Sequence, residues 1–240
     1  MMTTNIAFLL IGNTRLHWAQ KIGENYQYSH SLINKPIPEK INIKNLLWAS
    51  VGNYPTNLFK KENELKNKDI NLKNLPAHFG IDRALGCYAG LKIVNNPNKK
   101  NIIIADFGTT LSITKMNAEG VVIGGQLIPG FLTQLKSMVI NTKSLKMPNN
   151  LKIPDENFLI DTEEAMIKGV FNSLVGALNL ALKPEKDILI ICGGDSEIVS
   201  LNLKRRYQEL IIKPNLVMEG MIMHYQKQGF LFKKTKKLST

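Results

Sequence analysis

Asn101-Ile102-Ile103-Ile104-Ala105-Asp106-Phe107-Gly108-Thr109-Thr110 is the stretch from which the fold can be read. Asn101 to Ala105 is uncharged and rich in β-branched residues, as a strand buried on both faces must be. It runs into a turn of small and hydroxylated residues, after which Leu111 to Met116 and Val121 to Ile128 alternate as two more strands around Glu119-Gly120. The N-terminus has the same layout. Ile6 to Ile11 is a continuous apolar run that stops at Gly12-Asn13-Thr14, and Arg15 to Ile22 resumes with alternation, followed by a third strand. Strand, Gly-rich turn, strand, strand, written twice, is the pattern of two stacked homologous α/β domains with an active-site cleft between them.

Working outward, Leu46 to Val51 reads as another buried strand, and Pro55 opens a helix over Asn57 to Lys66. Asn67 to Pro76 is a polar surface connection. Gly80 to Val94 is a helix with Asp82 at its positive N-terminal end. The break Asn95-Asn96-Pro97-Asn98 marks the domain boundary, giving domains 1–98 and 99–231 with a basic tail over 232–240. Within the second domain, helices are expected over Phe131 to Met147 and over Thr162 to Leu182, the latter capped by Asp161 or Thr162. Asp187 to Cys192 is a strand that delivers Gly193-Gly194-Asp195 at its carboxyl end, where open α/β sheets bind ligands. Leu216 to Tyr225 is the final helix, and Phe232 to Lys237 a frayed end.

Lys and Arg number 31 against 19 Asp and Glu, a formal charge of +12. The lysines are scattered among asparagines along the whole chain, which makes a solvated surface rather than a nucleic-acid groove and helps attract acidic small molecules. The two cysteines, Cys87 and Cys192, lie far apart without metal-ligand spacing, which fits a reducing cytoplasm. No run approaches the ~20 apolar residues of a membrane span, and no signal peptide opens the chain. Walker A, GxGxxG, nucleophile-elbow and HExxH patterns are all absent.

What remains is Gly12-Asn13-Thr14, Gly108-Thr109-Thr110 and Gly193-Gly194, turns whose small residues let backbone amides approach phosphate oxygens. Any one of them is ordinary hairpin chemistry. Taken in order, though, Leu10-Ile11-Gly12-Asn13-Thr14-Arg15, Gly80-Ile81-Asp82-Arg83, Asp106-Phe107-Gly108-Thr109-Thr110, Gly124-Gly125-Gln126-Leu127-Ile128-Pro129-Gly130 and Thr162 to Gly169 resemble the type III pantothenate kinase family. The resemblance implies two duplicated ribonuclease-H-like domains of the actin-like ATPase type, each with a mixed sheet. It implies phosphorylation of pantothenate by ATP in coenzyme A synthesis, with Mg²⁺ and a monovalent cation, K⁺ or NH₄⁺, in a cytoplasmic homodimer.

Carried over by position, the family's sites fall on Ile11, Gly12, Asn13, Thr14, Arg15, Gly108 and Thr109 for ATP. They fall on Gly80, Ile81, Asp82, Arg83 and Thr162 for pantothenate, with Asp82 as general base, and on Asp106 for the monovalent cation. Asp82 is equally suited to satisfying the helix dipole, and Thr162 to capping a helix. Leu10 stands where the family's first turn has an aspartate; Thr110 and Ser112 replace a usual Ala and Thr. The loss of that carboxylate leaves open a non-enzymatic relative acting as an accessory factor in gene regulation. Two further rivals are a kinase of another hydroxyl acceptor, such as a sugar, and nucleic-acid binding through the Lys233 to Lys237 tail.

Overall fold

The apolar run near the N-terminus forms β1 (Ala7–Ile11), every residue of it buried, because a strand apolar on both faces is covered only at the centre of a sheet. A computed structural model describes residues 6–38, 41, 45–207 and 210–235, with the backbone alone over 229–235. β2 (Arg15–Ile22) and β3 (Asn25–Leu32) continue from β1 as an antiparallel meander, and β4 (Leu46–Ser50) joins the other side of β1 in parallel, so the order is β3-β2-β1-β4. Leu9, Ile11, Leu16, Trp18, Leu46, Trp48 and Phe59 make the core on one face.

The chain divides into two compact units, residues 1–93 with 215–240, and residues 94–214. In the first unit α1 (Ile81–Ile93) packs against α5 (Leu216–Thr235), where Tyr88 meets His224 edge-on at 6.0 Å and Phe8 of β1 meets Tyr225 at 5.6 Å. This differs from the expected second domain of 99–231: the final helix is drawn to the first unit by these aromatic contacts. α5 also runs ten residues past the expected end at Tyr225, because a single Gly229 costs a helix only about 1 kcal/mol. Residues 236–240 of the basic tail lie outside the described residues.

The second unit has β5 (Asn101–Phe107), β6 (Thr110–Met116) and β7 (Val122–Pro129) as a meander, with β8 (Asp187–Cys192) and β9 (Leu210–Ile212) parallel to β5, in the order β7-β6-β5-β8-β9. Its first four strands repeat the order and directions of the first sheet. α2 (Phe131–Asn141), α3 (Thr162–Ala181) and α4 (Ser196–Lys204) complete it. α2 stops short of the expected Met147 because Asn141 and Thr142 turn their side chains back onto the carbonyls of Ser137 and Met138 (2.7 and 2.9 Å). The helix expected over Asn57 to Lys66 is instead a turn and a short 3-10 segment, Lys61–Asn63. Its backbone is spent on β4: Trp48 Nε1 donates to Lys60 O (2.9 Å) and Leu65 N to Trp48 O (2.7 Å). Among the described residues no helix is long and apolar enough to cross a membrane.

The start of β8 is pinned by one carboxylate. Asp187, its side chain fully enclosed, accepts from Lys115 Nζ of β6 (2.7 Å), Asn101 Nδ2 of β5 (3.0 Å) and Lys183 N (2.7 Å). Burial alone would raise its pKa, but these donors and the Lys115 charge hold it below the ordinary 3.8. The folded state therefore binds this proton less readily than the unfolded chain, so the stabilisation is present above the unfolded value and is lost as pH falls through the folded one. Replacement Asp187→Ala strands a lysine and is expected to cost about 3 kcal/mol in urea unfolding at pH 7, with the gap from wild type shrinking as the pH is lowered below 3.8; equal gaps at both pH values would remove the ion-pair account.

Candidate functional site

At the carboxyl end of β1, Gly12 N donates to Arg15 O (2.9 Å), closing the turn that exposes the side chains of Asn13 and Thr14. The chain leaving β4 lies directly on this turn: Val51 N and Gly52 N both donate to Ile11 O (2.9 and 3.2 Å). A Cβ on Gly52 would collide with the Gly12 carbonyl, 2.7 Å from its carbon. Arg15 is half-buried at the head of β2, two residues before His17, which burial, with the nearby His30 and Arg15 charges, pushes down to about 4. Leu10 pairs with His17 across the ladder and is 6% exposed, an apolar core residue of β1.

The second unit builds the same device at the end of β5. Asp195 N donates to Phe107 O (2.9 Å), and a Cβ on Gly193 would collide with Phe107 O and with Asp106 Oδ1. On the other flank Gly130 N and Thr133 Oγ1 both donate to Thr109 O (2.9 and 2.6 Å), and a Cβ on Gly130 would overlap Gly108, 3.0 Å from its carbonyl carbon. The turn is thus gripped from β8 and from the β7–α2 junction, leaving the side chains of Thr109 and Thr110 exposed and Asp106 half-buried beside Gly193. Gly193 has φ +89°, a conformation that a residue with a Cβ adopts only under strain.

Gly80-Ile81-Asp82-Arg83 opens α1. Asp82 Oδ1 accepts from Arg83 N (2.7 Å), an arrangement that needs Gly80, since a Cβ there would lie 2.5 Å from that oxygen. Burial raises the Asp82 pKa above the ordinary 3.8, against the opposing pull of the Arg83 amide and guanidinium. The Arg83 guanidinium lies 4.1 Å over the Phe79 ring, which fixes its direction. A cavity of about 730 Å³ runs past Gly80 and Ile81, walled by the end of β4 and the segment from Glu64 to Leu75.

Thr162 is exposed in the first turn of α3, while Asp161 takes the cap, accepting from Glu164 N (3.0 Å). Of the expected residues, Ile11 to Arg15 and Gly80 to Arg83 thus stand in the first unit, and Asp106, Gly108 and Thr109 share one strand-end patch of the second, with Thr162 at a helix start. Sequence reasoning missed Gly52 and Asn67. The first could have been found as a Gly-Asn pair ending a strand, like Gly12-Asn13; the second carries no local signal, its partners lying ten and twelve residues on.

Fold and turns define a class, an α/β protein with two mixed sheets whose central strands end in tight turns of small residues. The model of the type III pantothenate kinases matches residues 55–183. A type III pantothenate kinase from Synechocystis is 30% identical over 230 residues, covering 89% of this chain and 87% of the relative. Another, from Helicobacter pylori, is 28% identical over 237 residues, covering 95% and 94%. A solved Campylobacter jejuni structure assigned to a Baf family of transcriptional activators shares the fold, with a TM-score of 0.63 at 17% identity over 93% of this chain and 99% of that one. The chain belongs to the type III pantothenate kinase family.

Replacement Gly193→Ala both strains φ and drives a methyl into Asp106, and is expected to cost about 1–3 kcal/mol in denaturant unfolding. An unchanged midpoint would show that the β5 and β8 turns are not in backbone contact.

Proposed function

We propose that this chain transfers the terminal phosphoryl group of ATP to the primary hydroxyl of pantothenate, giving ADP and 4′-phosphopantothenate, the opening step of coenzyme A synthesis. The observation that carries the proposal is Gly80 to Arg83: in a member of this family, a carboxylate sits half-enclosed at a helix start beside a guanidinium held over an aromatic ring. Phosphoryl transfer needs alignment and charge neutralisation more than a strong base, and Asp82 accepts the hydroxyl proton as it becomes acidic late in the reaction. Burial makes Asp82 a better base than an exposed aspartate. Arg83 anchors the acceptor's carboxylate, and Gly80, Ile81 and Thr162 complete the acceptor's surroundings.

ATP is assigned to the turn of Ile11, Gly12, Asn13, Thr14 and Arg15 and to Gly108 and Thr109, whose small residues leave room for phosphate oxygens. Mg²⁺ fits these residues as a companion of ATP: Leu10 brings no carboxylate, and Mg²⁺ keeps waters and phosphate oxygens as ligands. Bound there, it would spread the charge that builds on the phosphates. Asp106, a carboxylate beside strand-end carbonyls, suits a hard monovalent cation, K⁺ or NH₄⁺. The shared strand order supports reading the two units as duplicated ribonuclease-H-like domains. Phe158, Ile160 and Leu180, apolar and almost fully exposed, support a homodimer built through the second unit. The buried thiols Cys87 and Cys192 fit a cytoplasmic site of action.

One observation favours a second reading, an accessory factor without catalysis: Leu10 puts an apolar side chain where the family's turn carries a carboxylate. Coupled detection of ADP with and without pantothenate separates the two, since the accessory reading predicts none that depends on pantothenate.

Replacement Asp82→Asn is expected to lower turnover by about 10²-fold or more with ATP affinity unchanged; unchanged turnover would remove the base assignment. In the wild type, kcat/KM should fall on the acid side with a midpoint above 3.8, because burial favours the protonated carboxyl, and that limb should vanish in the variant. Replacement Asp106→Asn is expected to weaken activation by K⁺ in a salt titration, and an unaltered ion response would move the cation elsewhere.

A further inference from the structure

The peptide that leads into Gly80 is clasped from outside its own segment. Residues 76–79 form a tight turn, with Phe79 N donating to Pro76 O (3.0 Å). The side-chain amide of Asn67 donates to two carbonyls of that turn, to Ala77 O at 3.3 Å and in a short bond to Phe79 O. Asn67 is itself rigidly carried. It opens a 3-10 turn, Asn67–Asp69, in which Lys66 N donates to Asp69 Oδ2 (2.8 Å) and Asp69 N to Lys66 O (2.9 Å), and the flanking Leu65 and Ile70 are buried. The Phe79 carbonyl lies in one plane with the Gly80 amide, so fixing it sets the entry into the residue with the fewest conformational limits of its own. Gly80 O then accepts the first bond of α1 from Ala84 N (3.1 Å), and the Phe79 ring supports Arg83.

The same amide leaves its Oδ1 buried without a hydrogen-bond partner among the described residues. An unmet buried acceptor costs about 1–3 kcal/mol, a cost an apolar residue here would not carry. Asparagine at this place is therefore explained by its two donated bonds and not by packing.

We propose that Asn67 is a positioning residue for phosphoryl transfer, holding the 77–79 carbonyls so that Asp82 and Arg83 face the acceptor. This rests on the pantothenate kinase reading given above. A misplacement of the reacting groups by about 1 Å can lower a rate by 10²-fold, without any residue touching substrate being altered.

The test uses the full chain with Asn67→Ala and the near-isosteric Asn67→Asp, which keeps the volume but replaces the donor. Both are expected to lower kcat about 10-fold or more while KM for ATP stays within about twofold, and Asn67→Ala, which adds no charge, is expected to move the acid limb of kcat/KM to lower pH as Asp82 gains solvent. Hydrogen exchange should quicken over residues 79–84 and stay unchanged in the second unit. Wild-type kcat in both variants, or exchange over 79–84 identical to wild type, overturns the proposal. A wild type that makes no phosphopantothenate defeats the functional reading instead, and the exchange comparison then decides the tether by itself.

Discussion

Backbone laid against backbone, with no side chain between, is the contact on which the candidate site depends. Gly52 on the Gly12 turn, Gly193 on Phe107 and Gly130 on Gly108 each occupy space that a single methyl would fill. Hydrogen bonds cross every one of these approaches, to Ile11 O, Phe107 O and Thr109 O. The turns are consequently fixed from the side while their outer faces keep exposed threonine and asparagine side chains. A rigid, small-residue bend is what a triphosphate requires, because catalysis of its transfer is largely a matter of alignment and electrostatics.

Much of the frame was legible because both units follow the same rule, an uncharged strand at the sheet's centre. Ala7–Ile11, residues 102–105 and residues 188–192 announce burial by composition, and alternation in Arg15–Ile22 announces a strand nearer the edge. Long-range partners account for the failures. Lys60 and Leu65 give their backbone groups to Trp48, so apolar spacing that reads as helix is held as turns instead. The final helix joins the first unit through Phe8 and Tyr88, residues more than a hundred positions earlier, which no local pattern reports. α4, half-polar, and β9, only three residues long, were not anticipated.

The site shows the same division. Turn chemistry made Gly12 to Arg15, Gly108-Thr109 and Gly193 visible in the sequence, and family likeness singled out Asp82. The surroundings of Asp82 were not visible: burial raises its pKa, and Gly80 makes room for its oxygen while the adjacent amide orients it. Leu10 is legible as a departure, and the structure gives its physical form, an apolar side chain packed in β1 opposite a neutral His17.

The most direct measurement of the central claim is ³¹P nuclear magnetic resonance of the wild-type chain mixed with ATP, Mg²⁺, K⁺ and pantothenate. The account predicts that a phosphomonoester resonance grows in step with ADP, one for one, and that neither forms when pantothenate is left out. ATP turnover that releases inorganic phosphate whether or not pantothenate is present, or no turnover at all, would contradict it.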